Sequence, residues 1–238
     1  MVELELTGTS KPGGASIRLS EADPELLGDA ADRHPLASHD LRLHALRTGR
    51  WQPPHTPVPR LGHLIVDGLI ARRVAVARQH RAELLGPGEL IRPFAGEDEL
   101  GSTAYTVEWQ VVAPARVAVL DDEFLCTAAS FPDVLVALTV RGVERARRLG
   151  LQMAITELRP IEERLRALFV YLADRWGRVT LQGITLPIRM SHGLVAELVG
   201  ARRPTVTTAL GVLHHAGDVV RTDDGGWLVR RSLAVAAR

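Results

Sequence analysis

Apolar and polar positions alternate in short blocks through the first half of the chain, and turn-forming residues separate the blocks. The apolar runs have the length of β-strands and lie at 63–66, 69–77, 82–85, 103–112 and 116–120. The Asp-Gly pair at 67–68 and the Ala-Pro-Ala segment at 113–115 interrupt them and predict turns. Runs of this length and spacing are typical of an all-β barrel or roll. Residues 1–37 lack the pattern and predict a weakly structured leader with a short helical stretch at 21–32.

The pattern changes at Pro132. From Pro132 to Leu158 there is no further proline, and apolar residues recur at helical steps, so the segment predicts one long helix. Two apolar stripes run along it. The first comprises Leu135, Leu138, Gly142, Ala146, Leu149 and Met153. The second comprises Val140, Val143, Leu151, Ala154 and Leu158, with Arg147 interrupting it.

A helix with two apolar stripes needs two packing partners. We assign one stripe to the β-domain of the same chain and the other to a second copy, as in a parallel coiled coil. The sequence therefore predicts a homodimer formed through residues 132–158. The alternative is a helix buried inside a monomer.

The chain after the long helix has a break, a helix and a hairpin. Arg159-Pro160 marks the break, because the residue before a proline is disfavoured in helical geometry. The pattern then predicts a helix over Ile161–Trp176 and a hairpin from 179–181 and 184–186.

Residues 191–213 meet the local requirements of a helix-turn-helix. Ser191 is a suitable N-cap for a first helix. Gly200 can end that helix in a left-handed conformation, and Pro204 can open the second helix as its first residue. Leu213 is predicted to close the second helix. The shared core would come from Ala196, at the helix crossing, with Val195, Val199, Val206, Ala209 and Leu210. An incidental helical hairpin is the alternative.

A short hairpin directly follows these two helices. Strands at 218–222 and 227–230 would flank the turn Asp223-Asp224-Gly225-Gly226, a composition that favours tight turns. A hairpin in this place predicts the wing of a winged helix-turn-helix, whose tip runs beside the DNA backbone. The two acids at the tip disfavour a phosphate contact there. Arginines on the wing strands are better candidates, namely Arg221, Arg230 and Arg231.

The second helix would enter the major groove with its N-terminal residues nearest the bases. Arg203 is the candidate for a specific contact, because a guanidinium pairs bidentately with guanine. Thr208 is placed to touch a base edge or a thymine methyl group. Five residues are candidate phosphate contacts, namely Ser191, His192, Arg202, Thr205 and Thr207. For His192 and Thr207 a purely structural role is an equal alternative.

Composition narrows the possible functions without choosing among them. The 238 residues carry a net charge of +1, and residues 189–238 hold seven arginines against four acids, a local excess of three. No apolar run reaches the roughly eighteen residues of a membrane span, and the N-terminus does not have the pattern of a secretory signal. A single cysteine excludes an intrachain disulfide and a cysteine-only metal site. We expect a cytoplasmic protein, with no catalytic motif, no metal site and no cofactor.

The order of β-roll, long helix and winged helix-turn-helix resembles the CRP/FNR superfamily of bacterial transcription regulators. The resemblance covers about residues 48–232. It is carried by Leu85-Gly86-Pro87-Gly88-Glu89-Leu90, by Val117-Ala118-Val119-Leu120-Asp121 with Phe124 before Phe131-Pro132, and by Leu198-Val199-Gly200-Ala201-Arg202-Arg203-Pro204-Thr205-Val206. The segments 172–180 and 225–228 are similar to an actinobacterial branch. Pro204 stands where many relatives carry an acid that contacts a base.

The resemblance also implies a sensor domain of the cyclic-nucleotide-binding type, but in a degenerate form. Members that bind cyclic nucleotides hold the phosphate with a Gly-Glu pair and an Arg-Ser or Arg-Thr pair. Those places fall near Arg92-Pro93 and Tyr105-Thr106, where both the acid and the arginine are missing. Cyclic AMP is therefore not the expected effector. Arg92, Tyr105 and Thr106 are the candidates for an unusual anion. The cluster cysteines of FNR are absent as well.

Together these patterns predict an α+β protein in three parts. Residues 1–130 form the leader and a double-stranded β-helix (jelly-roll-like) sensor domain, 131–158 the dimerisation helix, and 159–238 the winged helix-turn-helix. The predicted function is that of a homodimeric, sequence-specific DNA-binding regulator of unknown effector, with RNA polymerase and a small molecule as further partners. The alternatives are a ligand-independent architectural DNA-binding protein and a β-roll module acting through protein partners.

Overall fold

A computed structural model describes residues 15–53, 61–93, 104–230 and 233. The chain divides into two compact units. The first comprises residues up to Val76 together with Leu84–Arg147, and the second comprises Ala77–Glu83 together with the residues from Arg148 onward. The three-part division at 130/131 and 158/159 stays a prediction.

A seven-stranded antiparallel sheet forms the larger part of the first unit, as the alternating pattern predicts, and residues 79–83 of its strand β5 are counted in the second unit. The strands are β1 Ser16–Arg18, β2 Asp40–Leu46, β3 Gly49–Trp51, β4 Gly62–Val76, β5 Gln79–Leu85, β6 Leu90–Ile91 and β7 Tyr105–Leu120. The main order is β1-β2-β7-β4-β5, while β3 pairs with β7 and β6 pairs with β4. The predicted strand start at 103 lies outside the described residues.

The two turns predicted at 67–68 and 113–115 are wrong. β4 and β7 continue through these segments and pair along their length. Gly62 lies opposite Leu120 at one end and Val76 opposite Tyr105 at the other, with register shifts between Ile65 and Ile70. The segments face each other across the ladder, where the Arg116 backbone N–H donates to Asp67 Oδ1 at 2.9 Å. Residues typical of turns here form an irregularity within two long strands.

Residues 15–37 are part of the core, which corrects the prediction of a weakly structured leader. After β1 come α1 (Leu19–Ala22) and a 3-10 helix (Pro24–Arg33), which account for the predicted helical stretch. Leu19, Leu26 and Leu36 are buried and belong to the same cluster as Phe124. Because these leucines are widely spaced, no helical or strand period revealed them. Residues 1–14 lie outside the described part of the chain.

A second cluster fills the opposite face of the sheet. Trp51 and Trp109 meet edge to face there, with ring centroids 6.0 Å apart. His63 on β4 is buried and lies 6.2 Å from both the Trp51 ring and the His44 ring. Burial, with a smaller contribution from His44, lowers the pKa of His63 from 6.5 to about 4. His63 is therefore a neutral core residue at physiological pH.

The long helix α3 spans Pro132–Glu157 and follows a short helix, α2 (Asp122–Ala128). The predicted long helix and its opening proline are confirmed. The second predicted stripe is exposed, including Val140, Val143 and Leu151. The prediction that one stripe packs on the β-domain is wrong for the first stripe beyond Leu138, since Leu149 and Met153 are exposed too.

Within the first unit, α3 makes polar contacts after Leu138, where the prediction placed apolar packing. The Arg141 guanidinium pairs with both carboxylate oxygens of Asp23, with Nη2 to Oδ1 at 2.7 Å. It also donates to the Gly88 carbonyl at 3.1 Å, and Arg145 donates to the Leu90 carbonyl at 3.1 Å. The Asp23 carboxylate is only 6% exposed and the Arg141 side chain 15% exposed, so the ion pair is largely shielded from water.

The second unit contains a four-stranded antiparallel sheet and three further helices. Its elements are α4 Ile161–Trp176, β8 Arg178–Val179, β9 Ile184–Leu186, α5 His192–Val199, α6 Arg203–His215, β10 Val219–Arg221 and β11 Trp227–Val229. The strand order is β10-β11-β9-β8. The predicted α4 is confirmed. Leu181, predicted in a strand, lies fully exposed in the turn between β8 and β9.

The described residues contain neither a single helix that could span a membrane nor a cluster of side chains that could hold a metal ion. Within residues 15–53, 61–93 and 104–230, no helix taken alone has the length and apolar composition of a membrane span, and α2 and α3 reach them only as a pair that is bent by 119°. Within these same residues, no group of three or more His, Cys, Asp or Glu side chains is arranged to hold a metal ion.

Candidate nucleic-acid interface

The helix-turn-helix has the local geometry that its residues predict. Ser191 caps α5, and its hydroxyl accepts from the Leu194 backbone N–H at 3.2 Å. Gly200 ends α5 in the left-handed region, at φ 65° and ψ 40°. The Ala201 backbone N–H then donates to the Ala196 carbonyl at 2.9 Å. These two contacts fix both ends of α5.

The second helix differs from the prediction at its ends. α6 begins at Arg203, with Arg202 as its N-cap, so Pro204 is the second helical residue rather than the first. The helix continues to His215, two residues beyond Leu213. Its start is still compatible with proline, because first-turn N–H groups have no partner within the helix.

A small apolar core holds α5 and α6 together. All six predicted core residues are buried, namely Val195, Ala196, Val199, Val206, Ala209 and Leu210. On α6 they recur at steps of three and one, and Leu213 continues the same face. The opposite side of α6 is therefore turned to solvent.

That exposed side carries most of the predicted DNA contacts. Arg202, Arg203, Thr205, Thr207 and Thr208 are exposed. Neither arginine forms an ion pair or a side-chain hydrogen bond with any other described residue. Thr208 Oγ1 donates to the Pro204 carbonyl at 3.3 Å, within its own helix.

Other arginines of this unit are committed to internal contacts. Arg166 and Arg230 both pair with Asp218, at 3.0 and 3.2 Å. Arg230, predicted as a wing contact to DNA, thus holds the wing to the rest of the unit. Arg231 lies outside the described residues.

His192 links α5 to α6. Its Nδ1 and Thr207 Oγ1 are 3.0 Å apart and share a hydrogen bond. Burial, followed by the nearby cations Arg221 and Arg203, lowers the pKa of His192 below its usual 6.5. The structure therefore brings together four of the predicted contact residues in one cluster.

Arg221 on β10 joins this cluster from the wing. Its guanidinium lies over the Trp227 ring, 4.9 Å from the centroid, and Nη1 donates to the Met190 carbonyl at 3.2 Å. Trp227 in turn packs against Phe169 of α4, with ring centroids 4.9 Å apart. The wing is thus anchored beside the start of α5 while Arg221 stays exposed.

The acids at the wing tip are less free than the sequence suggests. Asp224 accepts from the Thr222 hydroxyl and from the Gly226 backbone N–H, and these bonds, with the charge of Arg189, lower its pKa. Arg189, which sequence reasoning missed, lies close to Gly225 at the turn. Its only sequence signal was its position two residues before the cap of α5. Part of the acidic character of the tip is therefore balanced within the unit.

Known proteins provide a comparison for this arrangement. No protein-family model matches the chain. Regulatory protein CysR of Synechococcus elongatus is 30% identical over 144 residues, or 59% of this chain and 61% of that protein. The matched segment thus spans about three fifths of the length of this curated relative.

Solved structures are similar over a larger share. FixK2 from Bradyrhizobium japonicum has a TM-score of 0.64 at 14% identity, covering 83% of this chain and 96% of that one. A CRP/FNR-family transcriptional regulator from Thermus thermophilus has a TM-score of 0.53 at 22% identity, covering 82% and 98%. This chain has the CRP/FNR fold. The predicted fold class is confirmed.

Within the CRP/FNR fold, the predicted effector residues do not come together. Arg92 is exposed and lies beside Gly62, at one end of β4. Tyr105 and Thr106 pair with Val76 and Ala75 at the other end of that strand. Residues 94–103, between the two places in the chain, lie outside the described residues. A role for Arg92, Tyr105 or Thr106 in binding an anion stays a prediction.

Proposed function

We propose that the chain is a homodimeric, sequence-specific DNA-binding transcription regulator that places α6 in the major groove. The observation that carries the proposal is the uncommitted pair Arg202 and Arg203 at the start of an exposed helix. The first residues of such a helix meet base edges. The other arginines nearby, Arg166 and Arg230, are paired with Asp218, whereas Arg202 and Arg203 form no ion pair with the described residues.

Each side chain has a role in this proposal. Arg203 pairs with guanine, and Thr208 touches a base edge or a thymine methyl group. Contacts to phosphate come from Ser191, His192, Arg202, Thr205, Thr207 and Arg221. Backbone contacts of this kind set the register of the protein on the duplex without reading sequence.

Dimerisation rests on the exposed face of α3. Val136, Val140 and Val143 are exposed at helical steps of four and three, and Leu151 continues the same side. A row of apolar residues open to water along a helix is favourable only when a second surface covers it. A second copy of α3, packed as a parallel coiled coil, covers it and gives two DNA-binding units related by a two-fold axis.

The sensor role and the remaining partners follow from the same proposal. We include RNA polymerase and a small-molecule effector as partners, with cyclic AMP disfavoured because its phosphate-binding residues are missing from the sequence. A DNA-bound regulator works in the cytoplasm of a bacterial cell. The relatives whose names state a role are regulators, and none of the three compared is named as an enzyme.

Selection of duplexes from a random-sequence library by the full chain tests the proposal. We expect an inverted repeat whose half-site centres lie about one helical turn apart, or a multiple of it, roughly 10 base pairs. The same selection with the double variant Arg202→Ala/Arg203→Ala should enrich no particular DNA sequence. Binding to all sequences with weak preference and steep salt dependence would support an architectural protein instead. An absence of DNA binding would leave only the module acting through protein partners.

A further inference from the structure

The ring of His192 lies where three elements of the second unit meet. On α6, Thr207 Oγ1 lies 3.0 Å from His192 Nδ1, and the positive charge of Arg203 acts on the ring. On β10, the positive charge of Arg221 acts on the ring as well. On β11, the Trp227 indole lies beside it, with ring centroids 6.4 Å apart. Among the described residues, the charged groups that act on the ring are therefore both cations, while the Thr207 and Trp227 side chains are neutral.

This setting disfavours the imidazolium form in the free protein. Burial removes water from the ring, and the two guanidinium groups repel a third positive charge, so the pKa of His192 is lowered. In the neutral ring Thr207 can donate to Nδ1, which leaves the ring proton on Nε2. The described residues form no hydrogen bond to Nε2.

A phosphate placed against this surface changes the balance. Its negative charge offsets the repulsion from Arg203 and Arg221 and favours protonation of the ring by a proton from solvent. The imidazolium then donates from Nδ1 to Thr207 and from Nε2 to the phosphate. No covalent bond forms or breaks beyond the N–H bond.

We propose that His192 is a proton-linked positioning residue, which holds Thr207 in place on α6 and takes up a proton when a DNA phosphate approaches. This inference rests on the proposed DNA-binding function and deepens it. A residue that only filled space between α5 and α6 would give no such coupling between DNA binding and pH. By linkage, proton uptake on binding makes the affinity rise as pH falls, by about tenfold per pH unit at most.

The test measures the affinity of the full chain for the selected duplex and for a random duplex of equal length, between pH 5.5 and pH 8, about the range in which histidine titrates. We expect His192→Gln to remove most of the pH dependence, because glutamine keeps a hydrogen-bonding side chain but cannot be protonated. His215→Gln is the matched control, since His215 is exposed and its hydrogen bond among the described residues is to the Gly211 carbonyl of its own helix. It should keep the wild-type pH profile.

Two further measurements separate positioning from simple folding. Thr207→Ser keeps the hydroxyl and should bind DNA like the wild type, whereas Thr207→Val should lose affinity while its melting temperature changes little. Nuclear magnetic resonance of the His192 ring should show a pKa below 6.5 in the free chain that rises when the selected duplex is added.

The results distinguish a failure of the His192 inference from a failure of the proposed DNA-binding function. Equal pH profiles for the wild type and His192→Gln, or a His192 pKa unchanged by DNA, would overturn the inference while DNA binding stands. No binding of the wild type to either duplex would overturn the proposed function and the inference with it.

Discussion

Gly68 on β4 lies so close to Pro114 on β7 that a Cβ atom at Gly68 would stand 2.2 Å from the Pro114 carbonyl oxygen. Gly68 also has a φ of +82°, which side-chain-bearing residues rarely adopt. We expect Gly68→Ala to lower the free energy of unfolding of the first unit by roughly 2–4 kcal/mol. Urea unfolding followed by tryptophan fluorescence measures this change.

Gly28→Ala separates the two causes. Gly28 has a similar φ of +73°, but a Cβ there would meet nothing within 4 Å. Backbone strain alone predicts a loss of about 1–2 kcal/mol. Equal losses at both positions would show that the contact with Pro114 contributes nothing.

Arg203 and Arg202 should differ in what they contribute to DNA binding. Arg203→Ala should cost roughly 1–3 kcal/mol on the selected duplex and less on a random one, because it removes a base contact. Arg202→Ala should weaken binding to both duplexes alike and reduce the salt slope by about 1, as expected for a phosphate contact. Fluorescence anisotropy titrations at several salt concentrations give both quantities. Equal losses from Arg203→Ala on the two duplexes would reassign Arg203 to the DNA backbone.

Val143 should lie in the dimer interface. A carboxylate buried there without a partner is unfavourable, so Val143→Glu should weaken dimerisation by roughly tenfold or more. Sedimentation equilibrium over a range of protein concentrations measures the change. Ser130→Glu adds the same charge at an exposed position before α3 and should leave the dimer intact. A Val143→Glu chain that remains as dimeric as the wild type would exclude this face.

His63 should make the stability of the first unit depend on pH. Its pKa is about 4 in the folded chain and 6.5 when exposed, so the unfolded state takes up the proton first as pH falls. Stability is therefore highest above pH 6.5 and should fall by about 2–3 kcal/mol between pH 7 and pH 4.5. Urea unfolding at both pH values should show that His63→Leu loses most of this difference. His214→Gln, at an exposed histidine, should keep it.

The part of the fold that sequence predicted best depends on contacts close in the chain. Ser191 and Gly200 act on backbone groups within a few residues, and the apolar steps of α6 face a helix that directly precedes it. Such local constraints can be predicted from the sequence without knowledge of the tertiary structure. The helix-turn-helix and the wing could therefore be placed to within a few residues.

The errors arose where a distant partner decides the outcome. Asp67, Gly68 and Pro114 have the chemistry of turns, and only their pairing across β4 and β7 turns them into an irregularity within strands. The inner face of α3 carries Arg141, whose partner Asp23 lies 118 positions away along the chain. Apolar periodicity cannot reveal a face that is held by ion pairs.

The bidentate bond between Arg141 and Asp23 also limits how α3 can travel along the sheet of the first unit. A slide of a fraction of a turn would break both bonds and leave a shielded carboxylate without its cation, which is costly. The next guanidinium on the same side is that of Arg145, about 6 Å further along the helix axis. Intermediate positions are therefore unfavourable, and any displacement of α3 would proceed in discrete steps of about one helical turn.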